Sequence, residues 1–211
     1  MLFKNLKEAD KKGDITNGKR LVEIKAAPAG KSGWRPIGSV RSAGHIQTYN
    51  ELKSNLEAFI KRNRMLVNTD DLMTSNAMSI NMDSSSEFYK LYESVIALSK
   101  EQKLVFIKIM HQYPQPKIVA TDMGGKIAAL EKVKSIREFR QFLIALHIMS
   151  YVVKEDIDSL GIWKEKDMSL VIISHKDLRT IDGIITAIKT FGIKAVEGPD
   201  ARKHTFKINF Y

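Results

Sequence analysis

Apolar positions along the chain change their spacing twice, and the changes divide it into an N-terminal, a middle and a C-terminal part. From Thr48 they recur at three and four residues. Tyr49, Leu52, Leu56, Phe59 and Ile60 then fall on one helical face, with Lys53, Lys61, Arg62 and Arg64 elsewhere. Thr48-Tyr-Asn-Glu51, Ser84-Ser-Ser-Glu87, Ser99-Lys-Glu-Gln102 and Ser135-Ile-Arg-Glu138 all read as capping boxes. In each, a hydroxyl and a Glu or Gln three residues on satisfy backbone donors at a helix start. Phe88, Tyr92, Val95 and Ile96 mark the face of a second helix. A third, apolar on nearly every side from Leu104 to Met110, is expected at the centre of the core and ends at Tyr113-Pro114-Gln115-Pro116. Asp122 can cap a fourth running through Val133. Ser135 opens the longest, which carries Phe139, Phe142, Leu143, Leu146, Met149 and Val153. Residues 48–168 are therefore expected to form a bundle of about five helices. The stretch from Val67 to Asp83, rich in Ser, Asn, Asp and Met, reads as a loop whose methionines fill gaps in the core or adapt to a partner.

Past residue 168 the pattern turns to short strands. Ser169-Leu-Val-Ile-Ile173 is a continuous apolar run suited to a buried strand, and Leu178, Ile181, Ile184, Ile185 and Ile188 keep helical spacing as far as Phe191-Gly192. Ile193 to Val196 and His204 to Tyr211 alternate as strands about the turn Gly198-Pro199-Asp200. Residues 169–211 thus predict a β-α-β-β module packed on the bundle. Residues 1–47 are punctuated by Gly and Pro and predict a basic arm. One strand is expected in it near Arg20 to Lys25, able to join the C-terminal sheet. The fold class is α+β.

Composition narrows the chemistry. The chain has 211 residues, 44% hydrophobic and 27% charged, enough to bury a core without staples. It has no cysteine, which excludes disulfides, a thiolate nucleophile and cysteine-ligated metal. The start lacks the apolar stretch of a signal peptide, and no apolar run has membrane-spanning length, so the cytoplasm of a host cell or a virion is the expected location. The net charge is +10, of which +6 falls in the first 41 residues, where ten Lys and Arg face four Asp and Glu. Concentrated positive charge favours nucleic acid, acidic protein or an anionic membrane surface, with strong salt dependence.

Catalytic motifs fail on inspection. Ala29-Gly30-Lys31-Ser32 copies the end of a phosphate-binding loop, but Lys25 stands where the first glycine is needed and Gly33-Trp34-Arg35-Pro36 follows in place of a helix. The five histidines show no metal-ligand spacing, and His147 in the longest helix reads as a core or boundary residue. Glu155, Asp156 and Asp158 read as a solvated connection. The basic features hold up better. Trp34 beside Arg35, flanked by Lys31 and Arg41, suits stacking and phosphate neutralisation, with a core tryptophan as the alternative. Lys19 and Arg20 add charge to the arm. Arg137 and Arg140, one turn apart, are expected to face outward together, and Lys126, Lys132 and Lys134 to extend that face.

These readings point to a non-catalytic structural or assembly protein, as in a virus or phage particle, with no cofactor. It would be an oligomer whose arm docks on neighbouring subunits or on nucleic acid. One alternative is a nucleic-acid-binding regulator or replication accessory protein, with the helices between Ser99 and Lys154 as a helix-turn-helix-like reader. Another is a viral matrix-like protein bridging ribonucleoprotein and an anionic membrane. The Phe191-Gly192 turn and the basic arm are similar to rhabdovirus matrix proteins, over a stretch too short to assign a family.

Overall fold

The computed structural model describes residues 7–8, 15–16, 20–27, 34–37, 49–74, 79–80, 82, 86–111, 115–164, 168–191, 193–197 and 206–210. Four strands lie in the N-terminal part: β1 (Lys7–Glu8), β2 (Ile15–Thr16), β3 (Leu21–Ala27) and β4 (Trp34–Ile37). The middle holds α1 (Tyr49–Arg62), α2 (Thr69–Leu72), the ribbon of β5 (Met73–Thr74) and β6 (Ser79–Ile80), and then α3 (Ser86–Ile96) and α4 (Lys100–Ile109). It continues through α5 (Pro116–Ala120), α6 (Met123–Glu131) and α7 (Ile136–Glu155). The chain closes with β7 (Ser159–Lys164), β8 (Ser169–Ile173), α8 (His175–Leu178), α9 (Ile181–Phe191), β9 (Ile193–Glu197) and β10 (Phe206–Phe210). The mixed α+β class with a mainly helical middle is as expected. Among the described residues, no helix is long and apolar enough to cross a membrane.

The centre of the core is α7, not α4. Every residue of α7 from Phe142 to Val153 is buried, and Phe139 joins them. In α4 the buried residues are Lys103, Phe106 and Ile107, while Val105 is 40% exposed. An all-round apolar run of seven residues was therefore no guide to depth, because a peripheral helix can carry extra apolar side chains at little cost. Phe106 stacks on Phe139 at 6.0 Å between ring centroids and Phe88 meets the same ring at 5.5 Å, so α3 and α4 cover one side of α7. The sequence reading missed α2 and α5 because a single turn has no period to detect. Met73 and Met82 are core residues, as gap-filling requires; Met78 lies outside the described residues.

The sheets correct the expected C-terminal module. β8 belongs to a five-stranded sheet ordered β1-β2-β3-β7-β8, whereas β9 and β10 form a separate three-stranded sheet with β4 in the order β4-β10-β9. The supposed arm thus supplies strands to both sheets. β3 runs parallel to β7, with Val22 opposite Ser159 and Ala27 opposite Lys164, so the whole helical middle is one long crossover between them. Asp158 fixes that pairing. Its Oδ2 accepts the Leu21 N–H at 2.9 Å, its own N–H donates to the Leu21 carbonyl at 3.0 Å, and its Oδ1 lies 3.0 Å from His175 Nδ1. The segment read as a solvated acidic connection is therefore a strand junction, with Asp156 as its exposed part.

Helix starts divide in the same way. Ser99 and Gln102 form a full capping box, and Ser135 Oγ accepts the Glu138 N–H. Ser84 and Thr48 lie outside the described residues. Glu87 Oε2 accepts the Asn68 N–H at 2.6 Å and its Oε1 meets Lys90 Nζ at 2.6 Å. Asp122 precedes α6 with φ 51° but makes no side-chain cap there. Its carboxylate instead accepts the Ile181 N–H at 2.8 Å, tying the start of α9 to the start of α6.

A Cβ on Gly125 would stand 2.4 Å from both carboxylate oxygens of Asp122, while one on Gly124 would meet nothing within 4 Å. Gly125→Ala is therefore expected to cost about 1 to 3 kcal/mol by displacing the Asp122 tie. Gly124→Ala should gain up to about 1 kcal/mol from helix propensity. Denaturant melts of the two single variants check this, and equal effects of one sign would sink the role given to Asp122.

Candidate functional site

The helical body presents a basic corner at the C-terminal end of α1. Lys61, Arg62 and Arg64 are exposed, and no acidic residue stands between Glu57 and Asp70. Local geometry makes this corner rigid. The Met65 N–H donates to the Ile60 carbonyl at 3.0 Å and the Arg64 N–H to the Lys61 carbonyl at 3.2 Å, the paired bonds of a Schellman turn. Arg64 occupies the left-handed position of that turn, φ 54°, where glycine is the usual residue. Met65 packs back on the core and seats the turn. Asn63 closes it from the side. Its Nδ2 donates to the Phe59 carbonyl at 2.8 Å and its Oδ1 accepts from Gln102 Nε2 at 2.6 Å, while Gln102 Oε1 accepts the Ser99 N–H at 2.9 Å. One glutamine thus caps α4 and locks the end of α1 to it. Leu66, 87% exposed, stands beside the cations. Among the described residues, none of the three cations forms an ion pair.

A second group of cations gathers where α6 turns into α7. Lys132, Lys134 and Arg137 are exposed there. Lys132 also lines a cleft of about 140 Å³ with Val133, Glu138, Asp182, Ile185 and Lys189. Its two carboxylates balance its two ammonium groups, so it is less basic than the α1 corner.

The residues singled out from sequence meet different fates. Lys19, Lys31 and Arg41 lie outside the described residues, as does the Ala29–Ser32 segment. The backbone of Trp34 and Arg35 is in β4, opposite Asn209 and Ile208 of β10. Arg20 is exposed just before β3. Arg137 is exposed as expected, but Arg140 is half-buried and its guanidinium donates to the Met82 carbonyl. The two arginines therefore do not form one outward face. Lys126 is fully buried, which removes it from the basic surface. Sequence reading passed over Lys61, Arg62 and Arg64 as an ordinary polar face. The acid-free interval from residue 58 to 69 was the available signal.

Inside, a polar cluster sits against α7. Lys126 Nζ donates to the Val119 and Ile118 carbonyls at 3.0 and 3.2 Å, closing the C-terminal end of α5. Burial lowers its pKa to about 8, opposed by the nearby Asp122 carboxylate. His111 Nδ1 lies 2.6 Å from Ser150 Oγ, and His147 is buried as read from sequence. Burial lowers His147 to about 4. His111 is held well below its ordinary value by burial first, then by the positive charges of Lys126 and His147. Among the described residues, no group of three or more His, Asp or Glu is placed to hold a metal ion. No family model, curated protein or solved structure matches the chain.

Lys126 gives these shifts a measurable sign. Between pH 8 and the ordinary lysine value of 10.5 the unfolded chain binds a proton that the folded chain does not, so stability rises with pH across that window. Wild type should gain stability relative to Lys126→Met between pH 8 and 10. Parallel stability curves for the two proteins would contradict the burial of the amine.

Proposed function

We propose that the chain is a non-catalytic assembly protein, of the kind found in virus or phage particles, that docks on nucleic acid or on an acidic face of neighbouring subunits. The observation that carries this reading is the basic corner at the end of α1. Lys61, Arg62 and Arg64 are exposed without an ion pair among the described residues, and Arg64 is held at φ 54° where a glycine would be easier. Backbone held in a costly conformation is more often found where function needs a side chain at that place. A rigid array of cations loses little conformational freedom on binding, and exposed apolar surface at Leu66 adds contact area. The net charge of +10 would steer an anionic partner toward any such corner.

Docking therefore shifts, in this proposal, from the N-terminal segment to the helical body, because the described residues of that segment are strands committed to two sheets. The helix-turn-helix alternative is less well supported. α7 is buried on every side over most of its length and so is not disposed to lie in a groove, and α5 spans only Pro116–Ala120.

Binding to random-sequence duplex DNA over a salt series tests the proposal. Affinity should fall steeply between about 50 and 200 mM salt, and the triple variant Lys61→Ala/Arg62→Ala/Arg64→Ala should lower the log–log slope by about 2 to 3. A flat salt dependence would remove nucleic acid and leave the subunit interface. Arg64→Gly separates binding from folding: it should raise stability by up to about 1 kcal/mol by relieving the left-handed residue, yet weaken binding. A less stable Arg64→Gly protein that binds normally would overturn the proposal.

A further inference from the structure

The buried polar cluster contains a proton-accepting atom that hydrogen bonding leaves open. Ser150 Oγ donates its single hydrogen to the Leu146 carbonyl at 2.9 Å, the turn below it on α7. It therefore has only lone pairs to offer His111, whose Nδ1 must carry the hydrogen in their 2.6 Å contact. Neutral His111 consequently has its free lone pair on Nε2. That atom is buried and has no hydrogen-bond partner among the described residues. His147 lies one turn before Ser150 on α7, and both it, once protonated, and Lys126 of α6 oppose a positive charge on His111. α5 contributes the carbonyls of Ile118 and Val119, already taken by Lys126. Asp122 is the carboxylate nearest in effect, acting on Lys126, and it is engaged by the Ile181 N–H.

We propose that His111, His147 and Lys126 form a proton-operated switch, in which proton uptake by the two imidazoles beside the buried ammonium releases the C-terminal end of α4, and α5, from α7. The geometry supplies the force. Up to three positive charges would share one buried site to which His111 ties the end of α4 and Lys126 ties the end of α5, and among the described residues the carboxylate acting on Lys126 is Asp122, which already accepts the Ile181 N–H. Opening hydrates the charges, and it exposes the apolar faces of α4 and α5. The imidazoles are neutral in the closed form, so closure is fully favoured above pH 6.5 and loses ground as pH falls from 6.5 toward 4.

Hydrogen exchange on the full chain, stepped from pH 7.5 to 4.5 and corrected for intrinsic rates, reads the switch directly. Amides of α4 and of α7 near Ser150 should lose protection by about tenfold or more across this range, while those of β3 and β7 keep theirs. The variant His111→Gln/His147→Leu should abolish the step. Lys126→Gln keeps both histidines and a donor for the α5 carbonyls while removing the charge beside the imidazoles, so it should move the midpoint down by about half a pH unit or more even if the double variant folds poorly. An unchanged midpoint in Lys126→Gln overturns the proposal. Simultaneous loss of protection in β3 and β7 would also overturn it, showing global acid unfolding in place of a local release.

Discussion

Burial of α7 on every side is the constraint from which the rest of the architecture follows. A helix with no solvent face from Phe142 to Val153 must be covered all the way round, and the covering elements come from both ends of the chain. Phe88 and Phe106 close one side through Phe139, and α9 packs along another. Tyr151, near the C-terminal end, donates its hydroxyl to Glu23 Oε1 at 2.9 Å and so docks β3 on the helix. Polar residues on such a helix have to be satisfied in place. Ser150 does so through its own helix, and His111 reaches in to bond it, which brings titratable groups into the core.

Elements wrapped around a central rod still need fixing in register, and a few short polar side chains do this at element ends. Asp158 joins β3 to β7, Asp122 joins α6 to α9, Glu87 joins α2 to α3, and Asn63 with Gln102 joins α1 to α4. Each bonds a backbone group or a capping side chain at a partly buried helix or strand end, where water satisfies it less well, so the contact carries more than its own net strength. One of these residues, Asp122, occupies the position that local rules assign to the cap of its own helix, and tertiary demand took it over.

This explains what could be read from the sequence. α1, α3, α7 and α9 were legible because each repeats its apolar spacing for several turns, and Ser99 and Ser135 marked helix starts through bonds made entirely within a few residues; α6 was read from Asp122 as a cap, a bond that Asp122 does not make. β7 was not, although Leu160 and Ile162 alternate as a strand should, because the acids before it suggested a solvated link. The parallel pairing of β3 with β7 joins Val22 to Ser159 across the whole helical middle, a contact that no local pattern reports. Charge was legible as a total but not as a surface: Lys126 and Lys132 look alike in sequence, yet one closes a helix inside the core and the other stands at a cleft. The basic corner at Arg64 was hidden for a related reason. Its rigidity comes from a left-handed residue and a glutamine on another helix, and neither leaves a mark on apolar spacing.

The two proposals meet in α4. Its first turn is locked to the basic corner through Gln102 and Asn63, and the chain just past its last turn carries His111 into the buried cluster. A helix of ten residues spans about 15 Å and moves as a rod, so its two ends are not independent. Release of the His111 end would tilt the capping box that holds Asn63, and with it the Schellman turn that positions Arg64. Coupling also runs the other way. An anion bound at Lys61, Arg62 and Arg64 would lower the local excess of positive charge and favour whichever arrangement of α4 presents the three cations together. Proton uptake and anion docking are then linked through one rigid element, and the sign of that linkage is set by whether the docked arrangement is the closed one.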